Sequence, residues 1–219
     1  MMLVGQHMVH HVHTVSPTTN YREARELMKT WRIRRLPVVE HGRLVGIISE
    51  KDLLLTAPSP ATTLSVYEIY TLLDKLEVKQ FMKHPVITVG PDCPLQDAAQ
   101  IMLTNKIGCL PVMRAGDLAG IITETDIMRV LVNLLGGGEP GLNFTVRIKD
   151  EPGTLASVAS AVAQAGGNIV SITSSPHSGE VNIKEQGANI DKLRQLLREA
   201  GAELVQIQNG QPHTPQMFG

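Results

Sequence analysis

Leu36-Pro37-Val38 and then Gly46-Ile47-Ile48-Ser49-Glu50-Lys51-Asp52 are written a second time as Leu110-Pro111-Val112 and Gly120-Ile121-Ile122-Thr123-Glu124-Thr125-Asp126. The offset of 74 positions lays the whole of Val4–Leu54 on Val78–Met128 without a gap. Met8 falls on Met82, His10 on His84, Thr14 on Thr88, Pro17 on Pro91, Met28 on Met102 and Ile33 on Ile107. A gapless repeat of this length is one compact unit made twice. Each copy is too small to bury a large core alone. The two are therefore expected to pack about a pseudo-twofold axis, with a pair of related clefts between them.

Each copy reads as β-α-β-β-α. A short extended segment (Val12–Val15; Val86–Val89) leads to Pro17 or Pro91. An amphipathic helix follows, with Ala24, Leu27, Met28 and Trp31 inward, and Ala98, Ile101, Met102 and Asn105 in the second copy. Two strands, Leu36–Glu40 and Leu44–Ser49, turn at His41-Gly42 as an antiparallel hairpin; Leu110–Arg114 and Leu118–Thr123 turn at Ala115-Gly116. A second helix starts near Glu50 or Glu124. Between the copies, Pro58-Ser59-Pro60 breaks the chain, and Leu64–Leu76 reads as a helix with Val66, Ile69, Leu72, Leu73 and Leu76 on one side.

Gly136-Gly137-Gly138-Glu139-Pro140-Gly141 is a flexible linker and a domain boundary; no Lys-Ser/Thr follows, so it is not a phosphate loop. Beyond it the order is βαββαβ, which is ferredoxin-like. Phe144, Val146 and Ile148 alternate as a strand, and Leu155–Ala165 suits a helix with Leu155, Val158, Ala159 and Val162 inward. Gly166-Gly167-Asn168 ends that helix. Strands Ile169–Ser175 and Glu180–Lys184 flank a turn at Ser178-Gly179. A helix over Ile190–Ala200 and a strand over Leu204–Ile207 complete the domain, and the tail from Gly210 reads as disordered. The fold class is α+β.

Composition bounds the function. Hydrophobic residues make up 42% and charged residues 19%, an ordinary globular balance, but aromatics are only 3%, so aliphatic side chains must build the core. A net charge of −1 argues against a general nucleic-acid binder. No apolar run has bilayer length, and the N-terminus shows no basic leader or cleavage pattern, so a cytoplasmic setting and no membrane partner are expected. Cys93 and Cys109 are too few for a disulfide framework or metal ribbon. His7, His10, His11 and His13 invite a metal reading, yet His10 is matched by His84 through the repeat, and no acidic or thiol ligand stands nearby. No nucleophile–base order, Walker loop or dinucleotide fingerprint is present, and an enzyme is not expected.

The chemistry-bearing signal is Ser49-x-x-Asp52 with its copy Thr123-x-x-Asp126. One reading is a helix cap, with a hydroxyl at the N-cap and a carboxylate at N3. The other is a ligand site. A helix N-terminus and a hydroxyl favour a phosphate, and an ionised Asp can accept paired hydrogen bonds from ribose hydroxyls. Gly46 and Gly120 would permit close backbone approach.

The repeated Leu-Pro-Val…Gly-Ile-Ile-Ser/Thr-x-x-Asp unit resembles the cystathionine-β-synthase (CBS) domain, which occurs in pairs and binds adenine nucleotides between its copies. The resemblance implies nucleotide contacts at Ser49, Asp52, Thr123 and Asp126, with Thr14 and Thr88 lining the adenine pocket. It also implicates Pro37 and Pro111 and the residues before them: Arg34 and Arg35 in copy one, Gly108 and Cys109 in copy two. Copy two thus departs from the cationic pattern. Arg34 and Arg35 otherwise read as a solvated surface pair, although adjacent guanidiniums favour a shared anion.

Asp150-Glu151-Pro152-Gly153-Thr154-Leu155 and Gly166-Gly167-Asn168-Ile169 resemble the ACT domain, a regulatory module that pairs with a second copy to bind amino acids. That implies amino-acid contacts at Asp150, Gly153, Asn168 and Ile169; dimerisation alone stays open. With Ser-Val-Tyr-Glu-Ile-Tyr at Ser65–Tyr70, a CBS pair followed by ACT is similar to the bacterial acetoin-utilisation accessory proteins. The expected layout is a first CBS repeat at 1–57, linker and helix at 58–77, a second repeat at 78–135, linker at 136–141, ACT at 142–209 and a tail at 210–219. The expected ligand is AMP, ADP or ATP, acting as a regulator and not as a catalytic cofactor. Expected partners are a second copy of the chain, at least as a homodimer, and an unidentified protein target. A constitutive oligomeric scaffold with vestigial ligand sites is the alternative.

Overall fold

The computed structural model describes residues 1–57, 65–174 and 179–209. The Pro58-Ser59-Pro60 break, residue 64 of the expected linker helix, Ser178 and the tail from Gly210 lie outside the described residues. The chain divides into two compact units, Met1–Met128 and Arg129–Gly219.

In the first unit, helix α1 (Val4–His7) precedes helix α2 (Tyr21–Trp31), strands β1 (Arg35–Glu40) and β2 (Arg43–Ser49) and helix α3 (Glu50–Thr56). Helix α4 (Val66–Lys75) and a 3-10 turn (Val78–Gln80) lead into helix α5 (Leu95–Asn105), strands β3 (Cys109–Arg114) and β4 (Asp117–Thr123) and helix α6 (Glu124–Leu134). Helix α6 runs across the division between units. Both hairpins are antiparallel, and their bulges fall at matching positions, Val38/Val39 and Val112/Met113. Their two-residue turns, His41-Gly42 and Ala115-Gly116, have positive φ at both residues, the geometry that follows strand twist.

The expected first strand of each copy shrinks to a single parallel bridge, Val15 with Val38 and Val89 with Val112. Proline explains this. The next bridge upstream would need an N–H from Pro37 or Pro111, and the next downstream one from Pro17 or Pro91, and proline has none. The helix faces are close to expectation, with Ala24, Met28, Ala98 and Met102 buried; Asn105, however, is exposed and donates its amide to the Ile101 carbonyl at 2.8 Å. Leu73 of α4 and Leu76, which follows its last turn, pack on the first-copy core, whereas Leu72 points to solvent.

The copies exchange their first residues. Val4 and Gly5 donate to the carbonyls of Cys93 and Pro91, while Val78 and Lys79 donate to those of Thr19 and Pro17. Val9 then bridges Ile121, and Lys83 bridges Ile47. Gly46 and Gly120 make this possible. A Cβ at Gly46 would lie 2.4 Å from Met82 Sδ, and one at Gly120 2.5 Å from Met8 Sδ. The close approach these glycines permit is thus by the other copy's methionine.

In the second unit, strand β5 (Leu142–Arg147), helix α7 (Thr154–Gln164), strands β6 (Asn168–Ser174) and β7 (Glu180–Gln186), helix α8 (Ile190–Glu199) and strand β8 (Glu203–Asn209) follow in order. The antiparallel sheet runs β6-β7-β5-β8, as a ferredoxin-like order requires. Phe144, Val146, Val181 and Ile183 meet Val158, Val162, Leu193 and Leu197 in its core. Leu155 is not part of it: at 44% exposure it faces out, and Ala161 and Ala165 continue the buried face instead. The opposite sheet face carries Asn143, Thr145, Ser171, Thr173, Gln206 and Gln208. The glycine run is tied to this unit by Lys184 Nζ, which donates to the Gly136 carbonyl at 2.7 Å, and by Gln186 Nε2 to the Pro140 carbonyl at 2.6 Å.

Candidate functional site

Each hairpin delivers a hydroxyl residue to a helix start, and each forms the same cap. Asp52 Oδ2 accepts from the Ser49 N–H at 2.8 Å and from Ser49 Oγ at 2.5 Å, while Ser49 Oγ accepts from the Asp52 N–H at 3.2 Å. Asp126 Oδ2 accepts from the Thr123 N–H at 3.0 Å and Oγ1 at 2.6 Å, and its own N–H donates to Thr123 Oγ1 at 3.3 Å. The capping reading of Ser/Thr-x-x-Asp is therefore realised in both copies. It leaves Asp52 Oδ1 outside the cap, where Lys83 Nζ meets it at 3.2 Å.

A cleft of about 230 Å³ opens beside this pair. Its lining combines Arg35, Ser49, Lys51 and Asp52 of copy one with Lys83, Lys106, Cys109 and Pro111 of copy two. Ile47, Val86, Ile87 and Ile107 give it apolar walls. Four cations against one lining carboxylate make it electropositive, a setting that attracts phosphate. The sequence reading missed Lys51, Lys83 and Lys106. Lys83 stands on Val9 in the repeat, a neutral-to-charged change that could have marked it.

Arg34 and Arg35 do not act as a pair. Arg35 Nη1 donates to the Arg34 carbonyl at 2.8 Å and lines the cleft, whereas Arg34 Nη2 reaches Thr125 Oγ1 at 3.5 Å, at the start of α6. Gly108 is what admits Arg35. A Cβ there would stand 2.8 Å from Arg35 Nη2 and 2.9 Å from Glu124 Oε2. The departure of copy two from the cationic pattern is therefore a space that copy one's arginine fills. Cys109 is buried, and burial pushes its thiol above the ordinary range, while Arg35, and more weakly Lys83, pull it back.

Other candidates lie apart from this cleft. Thr14 is exposed and lines a separate depression with His10, His11, His13, Val39 and Asp117, where His13 stacks on Trp31 at 3.8 Å. Thr88 is exposed and does not line the cleft; Val86 and Ile87 of the same segment do. Pro37 is buried, and its carbonyl accepts from the Val15 N–H at 3.1 Å. Among the described residues, no three His, Cys, Asp or Glu side chains are grouped to hold a metal ion. No described helix is long and apolar enough to cross a membrane.

In the second unit the four candidates split into two places. Asp150 and Gly153 precede α7, while Asn168 and Ile169 follow it. Eleven helical residues hold the two ends about 15 Å apart, so Asp150, Gly153, Asn168 and Ile169 do not converge within one chain. Gly153 is the N-cap at φ 93°, Asp150 and Asn168 are exposed, and Ile169 packs against the core.

Comparison with known proteins matches the CBS-domain family to residues 4–58 and 78–133, and the ACT-domain family to residues 143–185. A CBS domain-containing protein of Dictyostelium discoideum is 32% identical over 136 residues, 61% of this chain and 94% of that protein. An inosine-5'-monophosphate dehydrogenase of Korarchaeum cryptofilum is 35% identical over 121 residues, 55% of this chain but 22% of the enzyme. Among solved structures, the Vibrio cholerae protein named AcuB for acetoin utilization is 34% identical, with a TM-score of 0.52 over 62% of this chain and 94% of its own. CBSX2, solved in complex with AMP, is 31% identical, with a TM-score of 0.50 over 60% of this chain and 97% of its own. The CBS pair of MJ0100, solved with 5-methylthioadenosine and S-adenosyl-L-methionine, is 26% identical, with a TM-score of 0.50 over 60% of this chain and 96% of its own. The chain belongs to the CBS-domain family, as a tandem CBS pair followed by an ACT domain.

Proposed function

We propose that this chain is a non-catalytic regulatory sensor that binds an adenine nucleotide between its CBS repeats and self-associates through its ACT domain. The observation that carries the reading is the meeting of Asp52 with Arg35, Lys51, Lys83 and Lys106 in one cleft with apolar walls. A carboxylate accepts ribose hydroxyls, cations take phosphate, and Val86, Ile87 and Ile107 offer surface to a purine. Relatives of the same fold solved with AMP and with 5-methylthioadenosine and S-adenosyl-L-methionine support the ligand class. Thr123 and Asp126, with Arg34 reaching Thr125 beside them, are the corresponding groups for a second site. An amino-acid site on the ACT domain would draw Asp150 and Gly153 from one copy and Asn168 and Ile169 from another, since one chain holds them apart.

Titration calorimetry with AMP, ADP, ATP and the common amino acids tests this. The wild-type chain is expected to bind adenine nucleotides, and Arg35→Ala with Lys106→Ala to weaken ADP by roughly tenfold or more, as the loss of charged hydrogen bonds implies. No adenine nucleotide binding by the wild-type chain overturns the reading and leaves an assembly scaffold.

A further inference from the structure

We propose that Lys83 is a specificity latch on Asp52, making the cleft of the first repeat select phosphorylated nucleosides over those without phosphate. The inference rests on the nucleotide reading above. The fold divides the two oxygens of Asp52. Oδ2 belongs to the cap with Ser49, while Oδ1 is held by Lys83 Nζ at 3.2 Å. The oxygen left for a ribose diol therefore already accepts from an ammonium, which competes with the diol for its lone pairs.

The two partners differ in freedom. The Asp52 side chain is 9% exposed and tied to its helix, whereas that of Lys83 is 65% exposed. Only the main chain of Lys83 is fixed: its N–H donates to the Ile47 carbonyl at 2.9 Å, and its carbonyl accepts from the Ile47 N–H at 3.1 Å. A ribose can thus displace the ammonium to water, but a ligand that itself receives it recovers the lost pairing. A phosphate on the same ligand does so with a charge-assisted bond. A nucleoside or a methylthio-nucleoside offers no anion, and a sulfonium centre adds a further cation to a cleft that already holds Arg35, Lys51, Lys83 and Lys106. Lys83 falls on Val9 in the repeat, whose main chain makes the matching bridge to Ile121 but whose side chain carries no charge.

Lys83→Met keeps the stem and removes the charge, at a side chain exposed enough to change without loss of fold. Titration calorimetry of both proteins with ADP and with adenosine reads the selectivity. In the variant, ADP is expected to weaken by about tenfold while adenosine tightens, so the ADP-to-adenosine ratio falls by more than about tenfold; adenosine left unchanged would make Lys83 a plain phosphate contact and overturn the latch, and Lys83→Arg should keep the wild-type ratio. An unchanged ratio in Lys83→Met, with binding retained, overturns the latch alone. Absence of any binding to either protein overturns the nucleotide reading and the latch together.

Discussion

Gly108 and Gly167 are glycines demanded by a neighbouring charge. Gly108 leaves room for the Arg35 guanidinium, and Gly167 for the Glu185 carboxylate, whose Oε2 would stand 2.5 Å from an added Cβ. Glu185 is 2% exposed and accepts from the Ala188 N–H at 2.9 Å, so it cannot retreat freely. Ala188 Cβ and Val162 Cγ1 would also lie within 3 Å of the new atom. Gly167→Ala should therefore destabilise the second unit by about 1–3 kcal/mol, the usual range for overpacking, read as a lower urea midpoint. Cys109 gives a pH-dependent counterpart. Burial raises its folded-state value, so the folded chain keeps a proton that the unfolded chain releases. Its contribution to stability is then fully present below the ordinary thiol value and lost as pH rises from there through the raised folded value. Alkylation followed by mass spectrometry should show Cys109 modified slowly near neutral pH and faster at alkaline pH. Arg35→Ala, which removes a group favouring the thiolate, should move that rise to still higher pH.

Elements were largely legible in the sequence because the code was written twice. Apolar spacing located α2, α5, α7 and α8, and the paired turns located both hairpins. The repeat extends even to backbone conformation. Arg32 and Lys106 both end their helices at positive φ, as do His41 and Ala115 in their turns. These are strained positions for side chains, and Ala115 has open space around its turn partner Gly116. Ala115→Gly should raise the melting temperature, with a gain of roughly 1 kcal/mol from relieving left-handed strain. The lead-in strands were not legible as single bridges, because pattern reading credits Val12–Val15 with a partner that prolines on both sides withhold. Leu155 was misplaced because an apolar residue in the first turn fits the helical period whether or not the sheet reaches it. Of the residues lining the cleft, Arg35, Ser49, Asp52, Cys109 and Pro111 were legible, because they lie in or beside the motif. Lys83 and Lys106 come from segments that contribute through space.

At the scale of the whole molecule, each unit carries its own core. The cluster around Tyr21, Leu36, Val38 and Ile48 draws only on the first unit, and the cluster around Phe144 and Leu193 only on the second. A chain ending at Leu135 is therefore expected to unfold cooperatively and to keep the nucleotide affinity of the full chain, by circular dichroism and calorimetry. Loss of folding in that chain would show that the second unit is required. The crossing of the first residues between repeats has a further consequence. Copy one now supplies an arginine and copy two the hole that receives it, while copy two supplies Lys83 where copy one has Val9. The halves have ceased to be interchangeable. Two first repeats joined together would set an arginine where Gly108 must be empty, and two second repeats would leave the hollow with nothing to fill it. Duplication made the pair, but divergence has locked the order in which its members must be joined.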